Sequence, residues 1–428
     1  MPASKGQSDE ILRRLGVGGS LDELAARLAP TSGTERPIPP DVPSPRDATA
    51  KGRDERLAFL RSQGVVLLHL TGAMPQVDPA DLQGNIEQFI GMTQIPTGLI
   101  GPLRVNGLHA HGDFYVPLAT SEGTLVASYN RGARLITQSG GASCLTTVEQ
   151  VQRAPVFTFD SMSDAGRFAA WTSGEFPRFQ EIAAGRTKHG KLIDMQIHME
   201  TSNVYIIFAY HTKDASGQNM VTICTDAICQ DLVERTPIKP RQWFLESNLS
   251  GDKKATALAF LNGRGRKVMA EVTIPRALVE RLLHTTPERI CDYWRLSFIG
   301  AVQSGSIGVT GHFANGIAAL FLACGQDVAC VSEAAVGINR FQLTPSGDLY
   351  CGVDLPNLIA GTVGGGTRLP TATECLRILG CEGAGKATKF AEICAAVVLA
   401  GELSIAGALS AGHFARAHER LGRPAAST

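Results

Sequence analysis

KLIDMQIHMETSNVYIIFAYHTKDASGQNMVTICTDAI, residues 191–228, changes period part-way along. KLIDMQIHME and NVYIIFAYH alternate apolar and polar residues, as strands with one buried face do. After the turn DASGQN the spacing becomes helical, with Met220, Ile223, Cys224, Ala227 and Ile228 on one face. Upstream, PVFTFD (155–160) reads as another strand, separated from Lys191 by helical sequence. The order strand, helix, strand, strand, helix predicts a small split-βαβ, ferredoxin-like unit over 154–244. It interrupts a larger unit formed by 91–153 and 245–428, so the fold class expected is α+β.

In the larger unit, FIGMTQIPTGLIGPLRVNG (89–107) is a Gly/Pro-punctuated loop running into extended chain. DFYVPLAT (113–120) is strand-like and feeds a helix, SEGTLVASYNRGARLITQSGG, with Ser121 as N-cap and Gly140–Gly141 as its stop. Residues 245–428 read as Gly/Ala-rich and mostly helical. Residues 53–90 form a small helical segment around ERLAFLRSQG (55–64), and the Pro-rich 1–52 is expected to be a flexible arm.

Bulk composition narrows the function classes. The 428 residues are 44% hydrophobic and 19% charged, the proportions of a globular protein. Forty basic residues balance forty acidic ones, which argues against nucleic acid or an acidic membrane as partner. The ten cysteines form no Cys-x-x-Cys pair and read as reduced thiols of a cytoplasmic protein. No metal site is expected. The most apolar stretch, Ala391–Phe414, contains Glu392, Glu402 and His413, and so reads as a buried helix of a soluble fold.

Taken singly, the polar candidates have ordinary readings as well as chemical ones. Glu122, as the second residue of a helix, complements the helix dipole. Asp252-Lys253-Lys254 opens the helix-like run ATALAFL; it is a solvated turn or the carrier of a cation that stabilises an oxyanion. Asp327 is a capping residue or part of a site, and His413 a core histidine or a proton donor. GCEGAGK (380–386) lacks the Ser/Thr of a P-loop and follows a helical segment, so it is set aside. DASGQN (214–219) lies between strand and helix, where backbone N–H groups can meet a pyrophosphate.

Together these segments resemble 3-hydroxy-3-methylglutaryl-CoA (HMG-CoA) reductase over roughly residues 80–418. The stretches that carry the resemblance include PLATSEGTLVASYNRGAR, DASGQNM, GDKK, GRGRKVMAEVTIP, CGQD, GTVGGGT and LAGELSIAGALSAGHF. The pattern is closer to the eukaryotic-type class, without its membrane anchor. The resemblance implies an NADPH-dependent, two-hydride reduction of a CoA thioester, with mevalonate as product. It also implies a homodimer or homotetramer with active sites between subunits. Glu122 would be general acid, Lys253 the oxyanion's cation, His413 the acid that protonates the CoA thiolate, and Asp327 the link between Glu122 and Lys253. Ser128, Asn130, Arg131 and His312 would face CoA; Arg153, Asp252, Lys254 and Asn315 would face the acyl portion. Asp214, Ala215, Ser216, Gly217, Gln218 and Asn219 would hold the dinucleotide, and Lys188 the 2′-phosphate of NADPH.

Two departures concern the acyl group. Glu246 replaces a serine, and Leu296 a lysine, that in the family contact the substrate's terminal carboxylate. Two like charges about 4 Å apart repel by about 4 kcal/mol at an effective dielectric of 20, roughly a thousandfold in affinity. Glu246 escapes that penalty if it turns away, binds protonated, or pairs with Lys254 or Arg153. Smaller departures are Tyr129 for a small polar residue, and Ser216 and Gln218 for methionines. The alternatives left open are a reductase of another acyl thioester and a non-catalytic CoA- or nucleotide-binding relative.

Overall fold

The computed structural model describes residues 5–16, 20–74 and 77–412. The chain opens with helices α1 (Lys5–Gly16), α2 (Leu21–Leu28) and α3 (Ala50–Ser62). Where a flexible arm was expected, the described part of 1–52 lies against the sheet. Ser20 and Glu23 close a capping box on α2, and the Thr31 N–H donates to the Gly140 carbonyl at 2.8 Å. The fully buried Arg104 guanidinium donates to the carbonyls of Arg36 and Pro37 and pairs with Asp113 at 2.8 Å. A buried guanidinium needs acceptors on every side. The proline-rich turn supplies carbonyls, a use that composition alone does not reveal.

β1 (Thr97–Gly107) and β2 (His111–Ala119) form a hairpin, followed by α4 (Leu125–Gln138) and β3 (Ala142–Arg153). The inserted unit runs β4 (Val156–Thr158), α5 (Met162–Ser173), α6 (Phe176–Arg186), β5 (Lys191–Glu200), β6 (Asn203–His211), α7 (Gln218–Arg235) and β7 (Gln242–Phe244). Its strands lie in the order β7-β4-β6-β5, all antiparallel, which is the ferredoxin-like arrangement. Phe157, Phe168, Phe179 and Phe208 fill its core.

The chain returns through α8 (Ala259–Asn262), β8 (Gly265–Ile274), α9 (Arg276–Leu283), α10 (Pro287–Ser304), α11 (Phe313–Ala323), α12 (Val331–Ala334), β9 (Ile338–Leu343), β10 (Leu349–Leu358), α13 (Pro370–Ile378) and α14 (Ala387–Ser410). Residues 245–428 are thus less helical than expected. β8, β9 and β10 extend the central sheet, and the alternation in KVMAEVTI is the signal that marks β8. β3 joins the two units: Ser143–Gln150 pairs with β8, and Val151–Arg153 pairs with β6.

α14 is long and apolar enough to cross a membrane by length and composition, yet it lies inside the fold. It meets α4 where a Cβ on Gly132 would stand 1.9 Å from the Ala400 carbonyl oxygen, so only glycine permits this approach. Its two buried acids each receive backbone N–H groups. Glu392 accepts from His109 and Ala110 at 2.9 and 2.7 Å. Glu402 accepts from Gly311, His312 and the Asn339 amide.

Candidate active site

Lys253 stands in a loop, where the sequence suggested the start of a helix; α8 begins only at Ala259. Its φ of 54° is left-handed, as is that of Gly251 at 72°. A lysine in that region costs of order 1–3 kcal/mol and persists only where its surroundings hold it there. Here its N–H donates to the buried Glu333 carboxylate at 3.3 Å, and the Asp252 N–H donates to Ser250 Oγ at 3.2 Å. The turn aims Lys253 Nζ at Asp327, 2.8 Å away. That hydrogen bond is the main reason the ammonium titrates above its ordinary value. The other Asp327 oxygen accepts the Ala329 N–H at 3.0 Å, so Asp327 caps its turn and pairs with Lys253 at once.

Behind this pair lies a chain of charges. Arg264 donates to both oxygens of Glu333, at 2.8 and 2.6 Å, and pairs with Asp252 at 2.9 Å. Arg153 donates from one nitrogen to Glu246 at 3.0 Å and to Asp252 at 3.1 Å, and from the other to Thr222 at 2.9 Å. Burial would raise the Asp252 carboxyl, but Arg264 and Arg153 outweigh it and hold it low. For Glu333 burial wins, and its carboxyl is raised despite Arg264. Lys254 is exposed and donates to the Asp252 carbonyl at 2.9 Å. Gln218 enters this chain too: its oxygen accepts from Arg264 at 3.0 Å and its nitrogen donates to Asp252 at 3.2 Å.

Arg264 and Glu333 were given no role from sequence. Arg264 sits in the quoted stretch GRGRKVM, and Glu333 is an acid in the otherwise apolar and small VSEAA; both are signals of a buried pair.

Glu122 does not begin a helix. α4 starts three residues later, at Leu125, behind a left-handed Thr124, so the dipole argument fails. Glu122 instead accepts from the Asn315 amide at 2.7 Å in a cleft of about 440 Å³ lined by Ile95, Ser121, Leu125, Ala318 and Leu322. Val331, on the turn after Asp327, lines the same cleft. Asp327 thus bonds Lys253, while the Glu122 carboxylate is bonded to Asn315.

Ser128, Asn130 and Arg131 make internal contacts. Ser128 shares a hydrogen with Ser404 at 2.9 Å, Arg131 donates to the Ser404 carbonyl at 2.7 Å, and Asn130 accepts the Gly101 N–H at 2.9 Å. Ser404, on α14, was missed. His312 is buried and stacks on Tyr129 with ring centroids 4.8 Å apart; burial lowers its pKa. Tyr129 fits because Gly316 and Gly401 face its ring, and its hydroxyl donates to the His312 carbonyl. His413 lies outside the described residues.

The DASGQN turn meets two glycine-rich loops. Asp214 accepts the Ala387 N–H at 3.1 Å at the start of α14, and its carbonyl accepts the Thr362 N–H at 2.8 Å. A Cβ on Gly361 would stand 2.6 Å from the Ser216 nitrogen, and one on Gly217 would stand 2.3 Å from Thr212 Cγ2. Buried Arg266 ties the turn down, donating to the carbonyls of Lys213 and Ala360. Gly217 precedes α7 without a side-chain cap, which leaves the first N–H groups of that helix free of a capping side chain. Exposed Lys188 lies in the loop whose Gly190 packs on Met220, in the first turn of α7.

Residues 52–423 match the sequence model of the family described as hydroxymethylglutaryl-coenzyme A reductase. The chain belongs to this family. It is 44% identical over 377 residues to the 3-hydroxy-3-methylglutaryl-coenzyme A reductase of Pyrococcus abyssi, covering 86% of this chain and 91% of that one. The reductase 1 of Dictyostelium discoideum is 35% identical over 362 residues, covering 81% and 64%. Among solved structures, the class II reductase of Streptococcus pneumoniae, bound to NADPH, superposes with a TM-score of 0.67 at 18% identity, covering 83% and 96%. At that identity the likeness shows the fold, and it agrees with the α+β architecture of this reductase.

Proposed function

We propose that the protein reduces HMG-CoA to mevalonate with two equivalents of NADPH. The observation that carries this reading is the Lys253–Asp327 pair, held at 2.8 Å by a left-handed loop in a member of the reductase family. NADPH, when bound, supplies one hydride to the thioester carbonyl and a second to the resulting aldehyde. Lys253 places a fixed positive charge where each oxyanion develops, and Asp327 keeps that ammonium oriented. Glu122, steadied by Asn315, supplies a proton to the reduced oxygen, and His413 protonates the departing thiolate. In this reading Ser128, Asn130, Arg131 and His312 would meet CoA, and Arg153, Asp252 and Lys254 the acyl group.

The residues fit a dinucleotide. The glycine-lined turn at 214–219 lets a backbone approach closely, the uncapped start of α7 suits a pyrophosphate, and Lys188, two residues before the Gly190 that packs on Met220, would take a 2′-phosphate. We further propose that 154–244 is the nucleotide-binding unit and that the protein works in the cytoplasm as a homo-oligomer. Support for the oligomer comes from the end of α10, where Leu296, Phe298, Ile299 and Val302 are all exposed.

The test is NADPH oxidation by purified protein with HMG-CoA, beside succinyl-, acetyl- and longer acyl-CoAs. Two NADPH consumed per HMG-CoA, with mevalonate as product, is expected. Turnover of another thioester alone would replace the substrate in this reading, and oxidation with none would end it.

A further inference from the structure

Arg153 has more anionic partners than it needs. Its side chain is only 10% exposed, and one guanidinium nitrogen is shared between Glu246 at 3.0 Å and Asp252 at 3.1 Å. Asp252 already has Arg264 at 2.9 Å. Over the cluster, Glu246, Asp252, Glu333 and Asp327 face three paired cations: Arg153, Arg264 and Lys253. Of the two acids on Arg153, Glu246 has the weaker structural claim, because Asp252 is also held by Arg264. Its side chain is 26% exposed, and its remaining partners, the Asn248 N–H at 2.7 Å and Ser250 Oγ at 3.0 Å, belong to its own loop. Glu333, by contrast, is buried against Arg264, and Asp327 caps the turn at 328–330.

We propose that Glu246 is an intramolecular occupant of Arg153, so that an acyl group bearing a free carboxylate gains this arginine only by displacing it. The inference rests on reading this loop as the wall of a thioester pocket. A carboxylate tethered by its own loop competes at an effective concentration far above that of any dissolved substrate. A ligand carboxylate that enters without displacing it meets a like charge a few ångströms away. Leu296, apolar where the family carries a lysine, adds no cation to offset this. Glu246 therefore sets how strongly the enzyme discriminates between acyl groups with and without a terminal carboxylate.

The experiment uses the full-length protein as wild type, Glu246→Gln and Glu246→Ser. NADPH oxidation is followed with HMG-CoA and with butyryl-CoA, whose acyl group has no carboxylate, and glutarate binding is titrated by calorimetry. We expect the ratio of kcat/KM for HMG-CoA to that for butyryl-CoA to rise at least about tenfold in both variants, through KM. Glutarate should bind at least about tenfold more tightly to both variants than to wild type. An unchanged ratio together with unchanged glutarate binding would overturn the proposal and leave Glu246 as a residue that merely shapes its loop. If wild type reduces no thioester, the reading of the pocket fails, whereas the glutarate titration still decides whether Glu246 occupies Arg153. Glu246→Gln keeps the size and the local acceptor, so a gain seen with serine alone would be assigned to space and would count against the proposal.

Discussion

The carboxylates of α14 are buried, those around Lys253 range from the buried Glu333 to the part-exposed Glu246 and Asp327, and the two groups find their partners in different ways. Glu392 and Glu402 receive only N–H groups, almost all from the backbone of loops that they hold in place. Glu246, Asp252, Glu333 and Asp327 are each paired with a side-chain cation. A carboxylate fed by backbone amides has no competitor, because those amides cannot move to another ligand. One fed by arginine or lysine sits in an exchangeable pair, and exchange is what a site for anionic substrates and developing oxyanions requires.

This contrast can be broken most forcefully at Glu402. Replacing it with alanine strands two buried N–H groups and the Asn339 amide, and should cost about 3–5 kcal/mol in urea denaturation. A loss below about 1 kcal/mol would mean that water takes over and that Glu402 is not scaffold. Lys253→Ala addresses the other class. It should leave the fold intact and lower kcat for NADPH oxidation by about 10²–10³-fold; near-normal turnover would refute its assigned role.

Glu392 gives the contrast a pH signature, since burial raises its carboxyl to about 7 despite the two backbone N–H groups. The folded state then holds a proton that the unfolded chain releases near 4.5, so this contribution to stability is complete below 4.5 and is lost as pH rises toward 7. Between pH 5 and 8 the wild type should lose up to about 3 kcal/mol from this group, and Glu392→Gln should remove that slope. Parallel stability–pH curves for the two proteins would contradict the assignment. The smallest effect is expected at Tyr129→Phe, which deletes the hydroxyl bonded to the His312 carbonyl but keeps the stacked ring. Denaturation should register about 1 kcal/mol, with no pH dependence.

Much of the architecture was legible because periodicity reports which face is buried. The inserted unit follows from the alternation in KLIDMQIHME and NVYIIFAYH and the helical spacing after DASGQN. Less legible was whatever depends on partners far along the chain. The start of α4 was misplaced because a left-handed Thr124 delays the helix in a sequence with good capping residues. The Pro-rich arm looked unattached because its anchor, Arg104, lies some 68 residues downstream. Lys253 and Asp327 stood out as residues, but their pairing depends on a loop geometry fixed by Glu333, which no local pattern announces. Glu246 could be singled out from sequence; that it chose Arg153 over the alternatives required coordinates.

α14 also acts as a ruler. Asp214 grips its first N–H, and its last turn leads directly to His413 in the chain. Twenty-four residues at 1.5 Å each set the two ends of this helix about 36 Å apart, with the turn proposed for the dinucleotide at the first. Inserting or deleting one residue anywhere along it would turn everything beyond by about 100° and advance or retract it by about 1.5 Å. The length of this helix should therefore tolerate no indels, however freely its surface-free alanines exchange for other small residues.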